Sequence, residues 1–306
     1  MDSTRFDVLG IGGCAWDLLG RVAHYPRPGQ KTGITDYQEQ GGGQAATAMV
    51  AVARLGGRAA ICGTVGEDRY GDAIRADFHR EGVDTSRLIL DPGQTSHFAF
   101  CAVQEGSGER AIFYFGGSKR PLQPSDVDAE YVQSARCLLV DTHHPETHIA
   151  AAKLAREAGL PVVTDIEHPV EGLEELLRLG THHILPEHFL LDYLGEKDGE
   201  KAATIFRERW APPVLVVTRG AEGCVAYEGD QVLRQPAYPV DPVVDTTGAG
   251  DVFHGAFAYG LVLGYDLATN LEFAALVAGL KCRRLGGRAG IPTREEMKEL
   301  WRLPLP

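Results

Sequence analysis

Several features that would fix a protein class at once are missing from this sequence. No apolar run reaches the roughly 18 residues of a helical membrane span. There is no basic surplus: 42 acidic residues stand against 30 basic ones, a formal net charge of −12. A general nucleic-acid or anionic-membrane surface needs the opposite balance, so neither partner is expected. The opening MDSTRFDVLG has no basic segment leading into a long apolar stretch, so no secretory signal is expected. Cysteine is sparse: Cys14, Cys62, Cys101, Cys137, Cys224 and Cys282 never fall at CxxC spacing. That excludes a disulfide framework or zinc site and points to buried, reduced thiols in a cytoplasmic protein. No internal repeat, low-complexity tract or linker interrupts the chain. A globular composition remains, 44% hydrophobic and 24% charged over 306 residues. That length allows one large domain or two ordinary ones.

What the sequence does have is glycine. Its 37 glycines gather in knots at 10–13, 41–43, 116–117, 248–250 and 286–287. Such knots between apolar stretches bring backbone close to something.

Strands are expected at Phe6–Ile11 and Ala59–Val65, with helices at Gln44–Leu55 and Tyr70–Glu81. His97–Val103 and Ala111–Phe115 read as a hairpin around Glu105-Gly106-Ser107-Gly108. From residue 136 short strands (Cys137–Asp141, Val162–Asp165, His183–Leu185, Val214–Thr218) alternate with helical patterns at 146–158, 171–179, 187–194 and 200–209. That alternation predicts an α/β fold with a mainly parallel sheet between helical layers. Further helices are expected over 249–264, 267–284 and 293–301. The helix-poor pieces at about 13–40 and 95–118 are expected to form a small sheet beside one large domain.

Gly10-Ile11-Gly12-Gly13-Cys14-Ala15 matches GxGxxG/A after a strand, the opening of a dinucleotide fingerprint. No helix starts inside it, and the acidic candidate Asp36 lies in a stretch of uncertain type. A dinucleotide oxidoreductase is therefore carried only as a rival.

The knot Val244-Asp245-Thr246-Thr247-Gly248-Ala249-Gly250-Asp251 is more informative. A strand-like run passes through small residues into a long helix. The first amides of that helix have no intrahelical partner and carry the positive end of its dipole. Glycine and alanine leave them open to phosphate oxygens. Asp251, in the first turn, is placed to take a proton from a hydroxyl attacking phosphorus.

DTTGAGDVFHGAFA resembles the C-terminal signature of the PfkB carbohydrate kinases, which have the ribokinase-like fold. Gly42-Gly43-Gln44-Ala45-Ala46-Thr47, with ARLG at 53–56, is similar to their N-terminal signature, and GTVGEDRYGD at 63–72 is similar too. No GxxxxGK[ST] loop is present. The resemblance implies a three-layer αβα sandwich with a small β-sheet lid, forming one kinase domain over residues 1–306. It implies an ATP-dependent kinase acting on a sugar or sugar-acid hydroxyl, a primary one. In that reading Asp251 is the general base and Gly248, Ala249 and Gly250 form the anion hole, with Mg²⁺ offsetting the phosphate charge.

Asp245 resembles the position that helps hold a monovalent cation, usually K⁺. Asp17, Gly42, Gly43 and Thr47 match sugar-side positions, although many members carry Asn where Thr47 stands. Lys31, Tyr114 and His143 fall where a substrate tail would sit. Glu187, in Pro186-Glu187-His188-Phe189, is all that remains acidic of an N-x-x-E motif, and would hold the metal through water. Thr218, Gly220 and Gly223 resemble the T-x-G-x-x-G turn beside ATP. LKCRRLGGRAGIP resembles a subgroup in which sulfofructose kinases occur. The resemblance also implies a homodimer formed through the lid. Alternatives are a sulfofructose, 2-keto-3-deoxygluconate-type or nucleoside kinase, or a non-catalytic sugar-binding relative.

Overall fold

The computed structural model describes residues 5–106 and 109–305. Its strands are β1 (Phe6–Ile11), β2 (Ala15–Val22), β3 (Ile34–Gly42), β4 (Ala59–Gly66), β5 (Asp84–Asp91), β6 (His97–Gln104), β7 (Arg110–Phe115), β8 (Ala135–Val140), β9 (Val162–Asp165), β10 (His182–Pro186), β11 (Val214–Thr218), β12 (Cys224–Glu228) and β13 (Gln231–Gln235). Its α-helices are α1 (Gln44–Arg54), α2 (Arg69–Glu81), α3 (Ala129–Gln133), α4 (Pro145–Glu157), α5 (Leu173–Leu179), α6 (Glu187–Leu194), α7 (Gly199–Trp210), α8 (Ala249–Leu263), α9 (Leu267–Lys281) and α10 (Arg294–Leu300).

Side-chain alternation explains the layers. In β1, Val8 joins one apolar cluster while Leu9 and Ile11 join the other. In β11, Val214 and Val216 face the first cluster, Leu215 and Val217 the second. Strands covered on both faces must be apolar throughout, and β1 and β4 are buried along their whole length. Helices α1, α8 and α9 cover one face, and α4, α5 and α7 the other. The fold is thus the expected three-layer α/β sandwich. Its nine-stranded sheet runs β13-β12-β11-β10-β9-β8-β1-β4-β5. All pairs are parallel except those of the β12–β13 hairpin and its contact with β11.

A second sheet, β3-β2-β6-β7, stands beside it as the lid. Its central pair, β2 and β6, is parallel, and both outer pairs are antiparallel. Ser107 and Gly108 of the expected hairpin turn lie outside the described residues.

The structure also adds to the expected pattern. β5 is a half-exposed edge strand whose mixed burial blurs the alternation. The β12–β13 hairpin turns through Gly229, at φ 51°. The helix expected over 267–284 stops at Lys281, and the chain folds back through Gly286, at φ 93°, over the start of α8. All six cysteines are buried and free. Among the described residues, no helix is long and apolar enough to cross a membrane.

From β1 the sheet is built outward in both directions, to β4 on one side and β8 on the other. The crevice at the C-terminal ends of β1, β8 and β9 therefore lies at the switch point, where α/β sheets gather ligands.

Candidate active site

The α8 N-terminus faces that crevice. Gly248 caps it with φ 71° and ψ 6°, a left-handed conformation that favours glycine. A Cβ there would also stand 2.9 Å from Gly287 Cα. Val252 N is the first amide to bond four residues back, to Gly248 O. The Gly250 and Asp251 amides ahead of it have no such bond, and nothing lies within 4 Å of a Cβ built on Gly250. Bare amides, a dipole end and open space are what an anion hole needs.

Asp251 is half-buried in that first turn. Burial, with repulsion from Glu167, Asp17 and Asp141, raises its pKa to about 7, while Arg110 of the lid opposes the shift. A carboxyl poised near neutrality suits a proton acceptor. Asp165, ending β9, is buried and held well above the usual carboxylate range, first by burial and then by Asp251 and Glu167. Its Oδ1 accepts from Gln44 Nε2 at 3.1 Å, and its Oδ2 has no partner. His254 joins the α8 turn to the sheet, with Nδ1 2.8 Å from Gly250 O and Nε2 2.9 Å from Ile184 O.

Asp141 follows β8 and is buried. Its Oδ2 accepts from Gly13 N at 2.7 Å and its Oδ1 from His143 N at 2.9 Å. Burial opposes its charge, but the His143 and His148 imidazoles and these bonds hold it well below the usual range. His143 is raised in turn, chiefly by Asp141, with Nδ1 3.3 Å away.

The glycine knots make room for these side chains. A Cβ on Gly12 would lie 2.0 Å from Asp141 Oδ2, and one on Gly42 2.2 Å from Asp17 Oδ2. Asp17, on β2, accepts no side-chain hydrogen bond from the other described residues. Burial and Asp245 raise its pKa to about 6, against Arg288. Behind the 41–43 loop, buried Arg288 donates to Asp77 Oδ2 at 2.5 Å, to Gly42 O at 2.9 Å and to Thr47 Oγ1 at 3.3 Å. Thr47 is therefore 2% exposed and belongs to the arginine's cradle. Gly43, at φ 92°, brings the start of α1 onto Gly13.

Other anticipated residues are spread over two rims. Tyr114 on β7 is 75% exposed and packs against His97 of β6 at 5.7 Å. His97 in turn lies 6.3 Å from His143, so lid and main sheet meet there. Lys31 is exposed on the β2–β3 connection. On the far rim Glu187 opens α6 and pairs with Arg219 at 2.6 Å. Thr218 ends β11, and Gly220 and Gly223 form the tight turn after it, with Gly223 N donating to Gly220 O at 3.0 Å.

Sequence reasoning did not single out Asp141, Asp165, His97, Lys119, Arg288 or Lys281. The two acids follow or end parallel strands, a signal the topology rule could have caught. Lys119 enters the cleft because Gly117, at φ 79°, turns the chain over Thr95, and burial lowers its pKa.

A hydrated Mg²⁺ fits the acid cluster, since Asp165 has a free buried oxygen and its charge is opposed by Asp251 and Glu167. Among the described residues no three His, Cys, Asp or Glu are grouped to hold a metal, so an ion here would keep most of its waters. A potassium ion at Asp245 fits poorly. Asp245 Oδ1 accepts from Thr247 N at 2.8 Å and Oδ2 from Gly286 N at 2.7 Å. Its carbonyl accepts from Lys281 Nζ at 2.8 Å.

Known proteins resemble this chain over nearly its whole length. Residues 7–294 match the description "pfkB family carbohydrate kinase". A ribokinase from Bacillus subtilis is 29% identical over 96% of this chain and 99% of its own. A 5-dehydro-2-deoxygluconokinase from Shouchella clausii is 28% identical over 98% and 96%. The structure of an Arabidopsis thaliana ribokinase complexed with ribose and ATP superposes with TM-score 0.83, at 25% identity over 97% of this chain and 99% of that one.

Proposed function

The chain belongs to the pfkB family of carbohydrate kinases, phosphotransferases with an alcohol acceptor, and from that premise we propose that it passes the γ-phosphate of ATP to a primary hydroxyl of a sugar or sugar acid. One kinase domain with its lid would do this as a cytoplasmic enzyme, a setting that the six free buried thiols suit.

The acceptor sits between Asp17, the Gly42–Gly43 backbone and the lid. Asp17, whose carboxylate has no hydrogen-bond partner among the described residues, accepts from sugar hydroxyls. Asp251 takes the proton of the attacking hydroxyl at its carboxylate. The free amides at the start of α8 hold the oxygens of the moving phosphoryl group. Arg219, Thr218 and the turn at Gly220 and Gly223 line the nucleotide side. Asp165 and Glu167 would hold hydrated Mg²⁺, which offsets phosphate charge. Glu187, the other metal candidate, is already neutralised by Arg219. The single observation that carries this reading is Asp251, with pKa raised to about 7, in the open first turn of α8.

A second reading, a sulfosugar acceptor, gains support from Lys119, which stands with His97 and His143 on the acceptor side. Ile112, Phe113, Tyr114 and Phe115 of β7 are all exposed, and pairing of two lids in a homodimer would cover them. A panel of neutral, carboxylated and sulfonated sugars and nucleosides, read by ADP release and by ³¹P NMR of the product, tests the proposal. A phosphomonoester formed one-for-one with ADP is expected. ADP release with no phosphorylated acceptor, or no turnover across the panel, would overturn it.

A further inference from the structure

Lys281 is the one lysine among the described residues buried completely. A lysine in an apolar core loses the hydration of its charge and persists only where something specific offsets that loss. Here the offset is the loop that starts α8. Lys281 Nζ donates to Asp245 O at 2.8 Å. Asp245, 0% exposed, is its leading electrostatic partner and works against the effect of burial.

The same loop is clasped from the same segment. Val244 N donates to Cys282 O at 2.8 Å, and Gly286 N donates to Asp245 Oδ2 at 2.7 Å. Gly287 lies against Gly248, the cap of the anion hole. The last turn of α9 therefore delivers a cation to the underside of the phosphate-binding loop. Asp251 is also among the groups that feel its charge.

We infer that the Lys281 ammonium is a built-in monovalent cation, fixing the 245–248 loop and its charge so that this chain works without K⁺. The inference rests on the kinase reading for its catalytic arm but not for its binding arm. Lys281 is 0% exposed and its ammonium is held on the Asp245 carbonyl, closed off from any ligand. It is a positioning residue that acts through Asp245 and the loop.

The purified full chain would be compared in KCl and in tetramethylammonium chloride at equal ionic strength. Wild-type turnover, and its melting temperature without any substrate, should be the same in both salts. Lys281→Ala opens a hole the size of the side chain. Its turnover should fall at least tenfold in tetramethylammonium and recover at least threefold on adding K⁺ or NH₄⁺. Its melting temperature should rise in those two salts alone. Lys281→Arg, which keeps the charge, should stay indifferent to K⁺.

Stimulation of the wild type by K⁺ of fivefold or more would overturn the inference, as would a Lys281→Ala protein equally active or equally impaired in every salt. If the alanine variant does not fold, the wild-type comparison alone still decides. If no acceptor is phosphorylated, the kinase reading has failed, and the melting temperatures still report on the cation.

Discussion

The two sheets of this molecule are built to opposite specifications. In the large sheet, β1 and β4 are buried at every position. In the lid, β7 carries Phe113 at 66% exposure and Tyr114 at 75%. The large sheet supplies rigid strand ends, a helix terminus and buried ion pairs, as a phosphate site needs. The lid supplies an adaptable aromatic and polar rim, as a closing sugar site needs. In the proposed reading, charge held by the buried sheet does the chemistry, and side chains on the lid choose the substrate.

The largest effect is expected where the rigid half does its chemistry. Asp251→Asn should lower kcat about 10³-fold, within the usual range for losing a positioned base, and leave the acceptor's dissociation constant within about threefold. Steady-state rates with calorimetric binding check this. An equal loss in both would erase the division between the sheets.

Next comes the buried contact that ties the end of the lid strand β3 to the main body. Arg288→Met leaves Asp77 buried without its 2.5 Å partner, although Arg80 still reaches it. Destabilisation of about 3 kcal/mol in urea unfolding is expected, the low end for a broken buried pair.

A smaller effect concerns pH. Between the ordinary carboxylate value of 3.8 and the raised value of about 7, folded Asp251 holds a proton that the unfolded chain has released. Its contribution to stability is thus present at low pH and lost as pH rises through that window. With allowance for its partial exposure, the loss should be about 1–2 kcal/mol. Asp17, with its pKa raised to about 6, acts in the same direction. Asp251→Asn should therefore melt higher than wild type at pH 8 and no higher at pH 4. In wild type, kcat/KM should climb with pH through about 7.

The smallest effect belongs to the lid. Tyr114→Ala should raise the acceptor KM about threefold, with the melting temperature unchanged, because the ring is 75% exposed and packs mainly on His97.

What the sequence disclosed follows the same division. The phosphate side is local: small residues, a helix start and Asp251 lie within one short stretch, so spacing alone exposes them. The alternation of strands and helices likewise announced the layers. The acceptor side is assembled from distant segments. Arg288 meets Thr47 and Gly42 across more than half the chain, and no local pattern marks that meeting. Thr47 reads as a sugar-side residue in the sequence, yet its hydroxyl is taken by Arg288. Glu187 reads as a metal holder, yet Arg219, on a different strand end, pairs with it. Lys281 looks like an ordinary charge near the end of a long helix. It is buried because its ammonium meets the Asp245 carbonyl and the fold-back of 282–290 packs against it.

The central claim is that Asp251 moves the proton while the lid side binds the sugar. The most direct test is a single-turnover chemical quench at pH 8, with enzyme in excess over ATP and the acceptor saturating. Wild type and Asp251→Asn should show the same acceptor affinity by calorimetry, with phosphorylated product forming about 10³-fold more slowly in the variant. Product formed at the wild-type rate, or slowed only as much as acceptor binding is weakened, would contradict the account.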